Sequence, residues 1–144
     1  MVGVEIDMVV KDSLKALELY ETIFDIERVE VSNLPLGENE VVFTLYDVHF
    51  HMLDENPEFH LIAPSPDDPK TSWVNVTVPD IKKTYEKAMN LDCTEIQTVT
   101  VIPDHGVSNA IFMDPFGYIW MLHQVHKAVT HEERIQLWEE KRKN

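Results

Sequence analysis

Acidic and imidazole side chains alternate along two short apolar segments of the chain. Glu5 and Asp7 lie two residues apart in the first segment, and His49 and His51 do so in another. Side chains two residues apart in a β-strand point to the same side, so each pair would share one face. Burial could raise the pKa of such carboxylates and make one a general base, and paired imidazoles could bind a metal ion. More often, such pairs form the ordinary polar side of a half-exposed strand.

A third alternating pair, Met121 and His123, follows a tight turn with the sequence Asp114-Pro115-Phe116-Gly117. Proline presets φ at about −65° for the second turn position, and glycine takes backbone angles that other residues avoid. The strand after the turn places Met121 and His123 on one face and Trp120 on the other. Trp120 is therefore expected to lie under a helix. The opposite face is left to line a cavity.

The elements that must position these pairs follow from hydrophobic periodicity, which predicts one helix and four strands in each half of the chain. The strands of the first half are predicted over residues 2–10, 26–32, 40–46 and 48–53. Those of the second half are predicted over residues 71–78 and 94–102 and in a hairpin over 107–123. Asp12 or Ser13 is expected to cap the first helix and Asp80 the second, because their side-chain oxygens accept first-turn N–H groups.

The two halves are similar enough to indicate an internal repeat. The caps Asp12 and Asp80 are 68 residues apart, and His51 and Met121, midway along the last strand of each half, are 70 apart. A repeat of a whole module predicts an α+β fold in which each sheet carries one helix. The chain is predicted as a single domain with four segments: a first module, a proline-rich linker, a second module and a C-terminal helix. Their bounds are 1–56, 57–70, 71–125 and 126–144.

The C-terminal helix is expected to begin at a capping box formed by Thr130 and Glu133. Its apolar residues Ile135 and Trp138 could dock on a partner subunit or pack on the same chain.

Composition limits the classes of function. The 144 residues carry a formal net charge of −14, which disfavours nucleic acid as a partner. The charge serves solubility, and it would also favour a cationic small molecule. No apolar run approaches the roughly 20 residues of a membrane span, so no membrane partner is expected. The single cysteine, Cys93, and the absence of a signal-peptide pattern predict a location in the cytoplasm.

Two stretches resemble the vicinal oxygen chelate superfamily of glyoxalase I, bleomycin-resistance proteins and extradiol dioxygenases. One covers residues 9–20, the end of the first strand and the first helix, and the other is the turn over residues 114–117. Phe116 and the Tyr-Ile-Trp sequence that begins at Tyr118 are similar to the PhnB-like branch. The resemblance, which covers about residues 2 to 125, implies two βαβββ modules that pair into a cup-shaped mixed sheet, and a homodimer.

The resemblance also implies four metal-ligand positions, which fall on Glu5, His51, Trp73 and Met121. The indole of Trp73 only donates hydrogen bonds, and the soft thioether of Met121 is a poor partner for hard divalent ions. We therefore expect no metal cofactor. If a divalent ion such as Zn, Ni, Mn or Fe is bound, Glu5 and His51 are its expected ligands.

Strand alternation extends these positions to a ligand pocket on the cup face. Its expected members are Glu5, Asp7, His49, His51, Trp73, Asn75, Met121 and His123. The leading hypothesis is a small-molecule-binding protein that works without metal. One alternative is a metal-dependent lyase, isomerase or dioxygenase with a divergent ligand set. The other is sequestration of a cationic compound in the manner of bleomycin-resistance proteins. Whether the protein is an enzyme stays open at this point.

Overall fold

A computed structural model describes residues 2–143 and contains two four-stranded mixed sheets. The first sheet and its helix comprise β1 (Ile6–Val10), α1 (Ser13–Ile23), β2 (Ile26–Val31), β3 (Glu40–Leu45) and β4 (Val48–Asp54). The second comprise β5 (Val74–Thr77), α2 (Ile81–Met89), β6 (Thr94–Ile102), β7 (Val107–Met113) and β8 (Ile119–Val125). The last helix is α3 (His131–Arg142). The predicted α+β class, with two βαβββ modules and a C-terminal helix, is confirmed.

The internal repeat is visible in the pairing of the strands. The sheets have the orders β1-β4-β3-β2 and β5-β8-β7-β6, so each module pairs its first and last strands in parallel. Asp7 lies opposite His51 in the first module, and Asn75 lies opposite Met121 in the second. The helix caps are equivalent as well, since Asp12 accepts from the backbone N–H of Lys15 as Asp80 does from that of Lys83.

Alternation along the strands separates the faces of the sheets. On the helix side Met8, Val10, Phe50 and Met52 are buried and form the core with their counterparts in the second module. The face opposite the helices, called the open face below, carries Asp7 and the residues that share its parity. The predicted pocket residues belong to this face.

The two modules share one core, and Trp120 lies at its centre. Trp120 is fully buried, and its ring centroid is 5.0 Å from that of Tyr20 and 4.9 Å from that of Phe24. Tyr20 belongs to α1 and Phe24 follows its last turn. The expectation that Trp120 lies under a helix is confirmed, and the helix belongs to the other module.

Two predicted strands are shorter than expected. β1 begins at Ile6 rather than at residue 2, and β5 begins at Val74 rather than at residue 71. The first paired residue sets each start. Ile6 pairs with Phe50 of β4, and Val74 pairs with Trp120 of β8. The residues before Ile6 and Val74 make no ladder pairs with these strands, so they are not part of the sheet.

The C-terminal helix has no buried residue. The hydroxyl of Thr130 caps it by accepting from the backbone N–H of Glu133, which is one of the two hydrogen bonds of the predicted capping box. Lys141 forms an ion pair with Asp104 in the short 3₁₀ turn Pro103–His105. Ile135 and Trp138 remain 45% and 63% exposed, so the helix rests on the chain without burying its apolar residues. Among the described residues, no helix combines the length and apolar character needed to cross a membrane.

Candidate functional site

Three of the predicted pocket residues converge at the N-terminal end of β1. One donor atom from each of Glu5, Asp7 and His51 lies within 4.8 Å of the others. The Nδ1 atom of His51 is 3.6 Å from a carboxylate oxygen of Glu5 and 3.4 Å from one of Asp7. The geometry follows from the parallel ladder, because Asp7 and His51 are direct partners and Glu5 precedes them on the same side.

A fourth residue, Glu40, completes this cluster and was not among the predicted site residues. Its Oε2 atom lies 3.1 Å from Nε2 of His51, the ring nitrogen opposite the one that faces Glu5 and Asp7. The two-residue turn between β3 and β4 sets a register in which Val42 faces His51 and Glu40 faces Leu53. Glu40 is thus the diagonal neighbour of His51 on the open face, within reach of a long side chain. The hairpin register could have revealed it from the sequence.

The side chains of the cluster need a positive charge among them. Partial burial lowers the pKa of His51, but the surrounding carboxylates raise it by more, so the net shift is upward. If Glu40 accepts a hydrogen bond from Nε2, the lone pair of a neutral Nδ1 faces two carboxylates. Electron-rich atoms in that arrangement repel one another unless a cation lies between them. A proton on Nδ1 or a metal ion would meet the requirement.

The second module contributes a separate pair. Nδ1 of His123 lies 2.6 Å from the side-chain oxygen of Asn75. Because an amide oxygen accepts, Nδ1 carries the hydrogen and Nε2 keeps its lone pair. Burial lowers the pKa of His123, which favours the neutral ring. Met121 lies beside Asn75 in the ladder and offers only a thioether.

Trp73 connects the cluster with the second module. It is 56% exposed, and together with Asp7 it lines a groove of about 280 Å³ between β1 and the start of β8. His49 lies on the open face opposite Thr44 and is exposed. The structure therefore unites Glu5, Asp7 and His51, places Trp73 in the same groove as Asp7, and leaves His49 outside the cluster.

The donor set of the cluster fits a divalent metal ion. Two carboxylates and an imidazole suit Mn, Fe, Ni or Zn, since these metals accept mixed oxygen and nitrogen ligands. A metal-bound histidine characteristically donates its other N–H to a carboxylate, which fixes the ring, and Glu40 is in that position. Glu5, Asp7 and His51 could therefore hold the ion. At the corresponding positions of the second module, Trp73 and Met121 could not.

The turn over residues 114–117 has a structural role. The carboxylate of Asp114 is buried and accepts hydrogen bonds from Tyr20 Oη at 2.5 Å and Trp120 Nε1 at 2.8 Å. It also accepts from the backbone N–H groups of Phe116 and Tyr118. Asp114 thus ties the last hairpin to α1.

The chain is similar to a known protein family and to several solved structures. The model of a family described as the Glyoxalase/Bleomycin resistance protein/Dioxygenase superfamily matches residues 4–122. A comparison with curated protein sequences finds no match. Among solved structures, a mutant of the fosfomycin resistance protein FosX from Listeria monocytogenes has a TM-score of 0.68 at 18% identity. The alignment covers 96% of this chain and 98% of that one.

Two further structures are similar. FosX from Mesorhizobium loti has a TM-score of 0.65 at 16% identity and aligns over 94% of this chain and 98% of its own. A PhnB protein from Bacillus cereus, described as a putative 3-demethylubiquinone-9 3-methyltransferase, has a TM-score of 0.66 at 18% identity. It aligns over 86% of this chain and 100% of its own. At these identities the similarity establishes the fold.

Proposed function

The chain belongs to the Glyoxalase/Bleomycin resistance protein/Dioxygenase superfamily, and we propose that it binds a divalent metal ion through Glu5, Asp7 and His51. The open coordination positions would receive an oxygen-bearing small molecule. One observation carries the proposal: the three donor atoms lie within 4.8 Å of one another while Glu40 contacts the remaining nitrogen of His51. The Listeria FosX mutant, a protein of the same fold, was crystallised with Mn(II) and 1S,2S-dihydroxypropylphosphonic acid, and this supports it.

The residues of the chain have distinct parts in this function. A bound divalent ion would polarise a carbonyl or phosphoryl oxygen of the ligand. Glu5 and Asp7 supply negative charge, and His51 supplies a nitrogen whose ring Glu40 orients. Trp73 stands beside Asp7 and would cover the ligand from the second module. His123, with its free Nε2, is a candidate to accept a proton or a hydrogen bond from the ligand.

Calorimetric titration with Mn²⁺, Ni²⁺ and Zn²⁺ after treatment with a chelator tests the proposal. Glu5→Gln, Asp7→Asn and His51→Ala should each weaken binding by more than tenfold, because three ligands leave no surplus donor. Glu40→Gln keeps the ligands but removes the charge that orients the ring, and a loss of about 10–100-fold is expected.

His49→Ala is the matched control, because His49 shares the strand and the face of His51 but lies outside the cluster. The metal affinity of His49→Ala should equal that of the wild type. Equal affinities in the wild type and in the Asp7 and His51 variants would refute the proposal.

Binding of a small molecule without metal is the second candidate function. The observation that favours it is the pair Trp73 and Met121, which offers an indole and a thioether where the family resemblance places ligands. The indole face next to Asp7 would suit a cationic ligand. A thermal-shift screen of the chelated protein against aromatic cations separates the candidates. Stabilisation that persists in His51→Ala but disappears in Trp73→Ala would favour metal-free binding.

A further inference from the structure

A second groove, distinct from the metal-capable cluster, lies where the two modules meet. Its volume is about 500 Å³, within the range of small-molecule sites. Ile6 and Val48 line it from the first module and Trp73 from the second, and Tyr46 stands at the turn between β3 and β4. This seam groove contains neither Glu5 nor His51 and shares Ile6, Trp73 and Val74 with the groove that Asp7 lines, so the inference goes beyond the metal-binding function proposed above.

The lining of the seam groove is unusually apolar for an exposed surface. Ile6 is 39% exposed, Val48 45%, Tyr46 50% and Trp73 56%, so four large apolar side chains meet solvent in one place. The buried ring of Phe50 lines the groove as well, which means that it opens onto the core. Apolar side chains gathered in a concavity are typical of a ligand site, whereas scattered ones need no explanation.

The backbone at Tyr46 supplies an independent observation. Tyr46 and Asp47 have φ angles of 46° and 70° and form the two-residue turn between β3 and β4. Such a turn needs positive φ at both positions and strongly favours Asn-Gly or Asp-Gly. A bulky aromatic residue in the left-handed region is uncommon, and strain of this kind clusters at functional sites. The turn itself gains nothing from a tyrosine ring, but the groove does.

The charges around the seam groove limit the kinds of ligand that it could bind. Among residues 2–143, no charged side chain lines the seam groove. Asp7 lies beyond its Trp73 end, and Asp47 and Asp25 lie in a depression beyond its Tyr46 end. Lys83 and Lys87 occupy a separate polar depression that shares only Tyr46 with the groove. A negatively charged ligand would approach acidic groups at either end of an apolar site, and this is unfavourable.

We propose that the seam groove binds flat apolar small molecules that carry no negative charge, with the rings of Tyr46 and Trp73 as contact surfaces. Tyr46 is then a ligand-binding residue whose unfavourable backbone conformation is retained for that purpose.

Two fluorescent probes that differ by one sulfonate group test the proposal on the full chain. The neutral N-phenyl-1-naphthylamine should bind, and its sulfonated analogue 1-anilinonaphthalene-8-sulfonate should bind about tenfold more weakly or worse. Tyr46→Asn and Trp73→Ala should each weaken binding of the neutral probe by about tenfold. Tyr46→Asn should also leave the melting temperature unchanged or raise it, because asparagine suits positive φ.

In Tyr46→Asn, weaker binding of the probe together with an unchanged or higher melting temperature would distinguish a binding role of Tyr46 from a structural one. Trp138→Ala is the control, since Trp138 is equally exposed but lies on α3 in another groove. It should leave binding of the neutral probe unchanged. Unaltered binding in Tyr46→Asn, or loss of binding in Trp138→Ala alone, would overturn the proposal. A dimer that dissociates in Tyr46→Asn while probe binding persists would assign the groove to a second copy and overturn it too.

Discussion

The buried carboxylate of Asp114 offers the sharpest test of how the two modules are joined. Tyr20 and Trp120, both fully buried, donate to the same oxygen, and each has Asp114 as its side-chain acceptor. Asp114→Ala removes that oxygen and leaves two buried donors without a partner. The backbone N–H groups of Phe116 and Tyr118 also lose an acceptor, but they belong to half-exposed residues and can turn to water.

The magnitude follows from these contacts. A buried donor left unsatisfied costs about 1–3 kcal/mol, so the two donors together cost about 2–6 kcal/mol. Burial raises the pKa of Asp114 despite its hydrogen bonds, which means that holding the charge in the interior already costs stability at neutral pH. Removing that charge offsets part of the loss. We expect Asp114→Ala to lower the free energy of unfolding by about 2–4 kcal/mol, a large part of the usual total.

Equilibrium unfolding in urea, followed by circular dichroism, measures this difference, and a double-mutant cycle with Tyr20→Phe sharpens it. Tyr20→Phe alone should cost about 1–2 kcal/mol, because it deletes one buried hydrogen bond and keeps the ring. In the Asp114→Ala background the same substitution should cost nothing, since it then removes an unsatisfied hydroxyl. A Tyr20→Phe cost that is equal in both backgrounds, to within about 0.5 kcal/mol, would refute the assignment of Asp114 as the shared acceptor.

Two further predictions concern the turns. Burial by itself raises the pKa of Asp54, but hydrogen bonds from one hydroxyl and three backbone N–H groups lower it to below its ordinary value. The stability contributed by its ionised form is therefore present above the unfolded pKa of about 3.9 and is lost as the pH falls through the folded value. Urea unfolding at about pH 7 and about pH 3 should show the gap between wild type and Asp54→Asn narrowing in acid; a wider gap would contradict this. At Gly106, with φ of 65°, an added Cβ would lie 2.2 Å from the carbonyl oxygen of Lys127. Gly106→Ala should lower the free energy of unfolding by about 2 kcal/mol or more, whereas Gly3→Ala, with no atom of the described residues within 4 Å, should not change it; equal unfolding curves for the two variants would contradict the prediction.

Local patterns were sufficient to predict most of the secondary structure. The caps Asp12, Asp80 and Thr130 are where the sequence places them, because a cap depends on a side chain and a backbone N–H only three residues away. Alternation along β8 correctly separated Trp120 from Met121, since the period of a strand is fixed by its geometry. The starts of β1 and β5 were predicted too early because they depend on which residues pair with the neighbouring strand, and this pairing is not encoded in local propensity.

The residues of the candidate site were also predicted only in part. Glu5, Asp7 and His51 were identified from alternation and from the family resemblance, and their positions on the open face need nothing else. Glu40 was missed because its proximity to His51 depends on the register between two strands. Trp73 and Asn75, which line the seam groove, were predicted as ligand-binding residues, but the groove itself was not predicted, since Tyr46 and Trp73 come from different modules and meet only when the modules pack.

The sequence alone was enough for the repeat of two βαβββ modules, the family and the identity of the residues on the open face. Each of these rests on hydrophobic periodicity or on short motifs, which are recognised from residues close together in the sequence. The convergence of three donors on one point and the groove beside Tyr46 required the folded molecule. Distances between residues far apart in sequence are set by side-chain packing, and in this chain the central contacts are those of Trp120 and Asp114 across the modules.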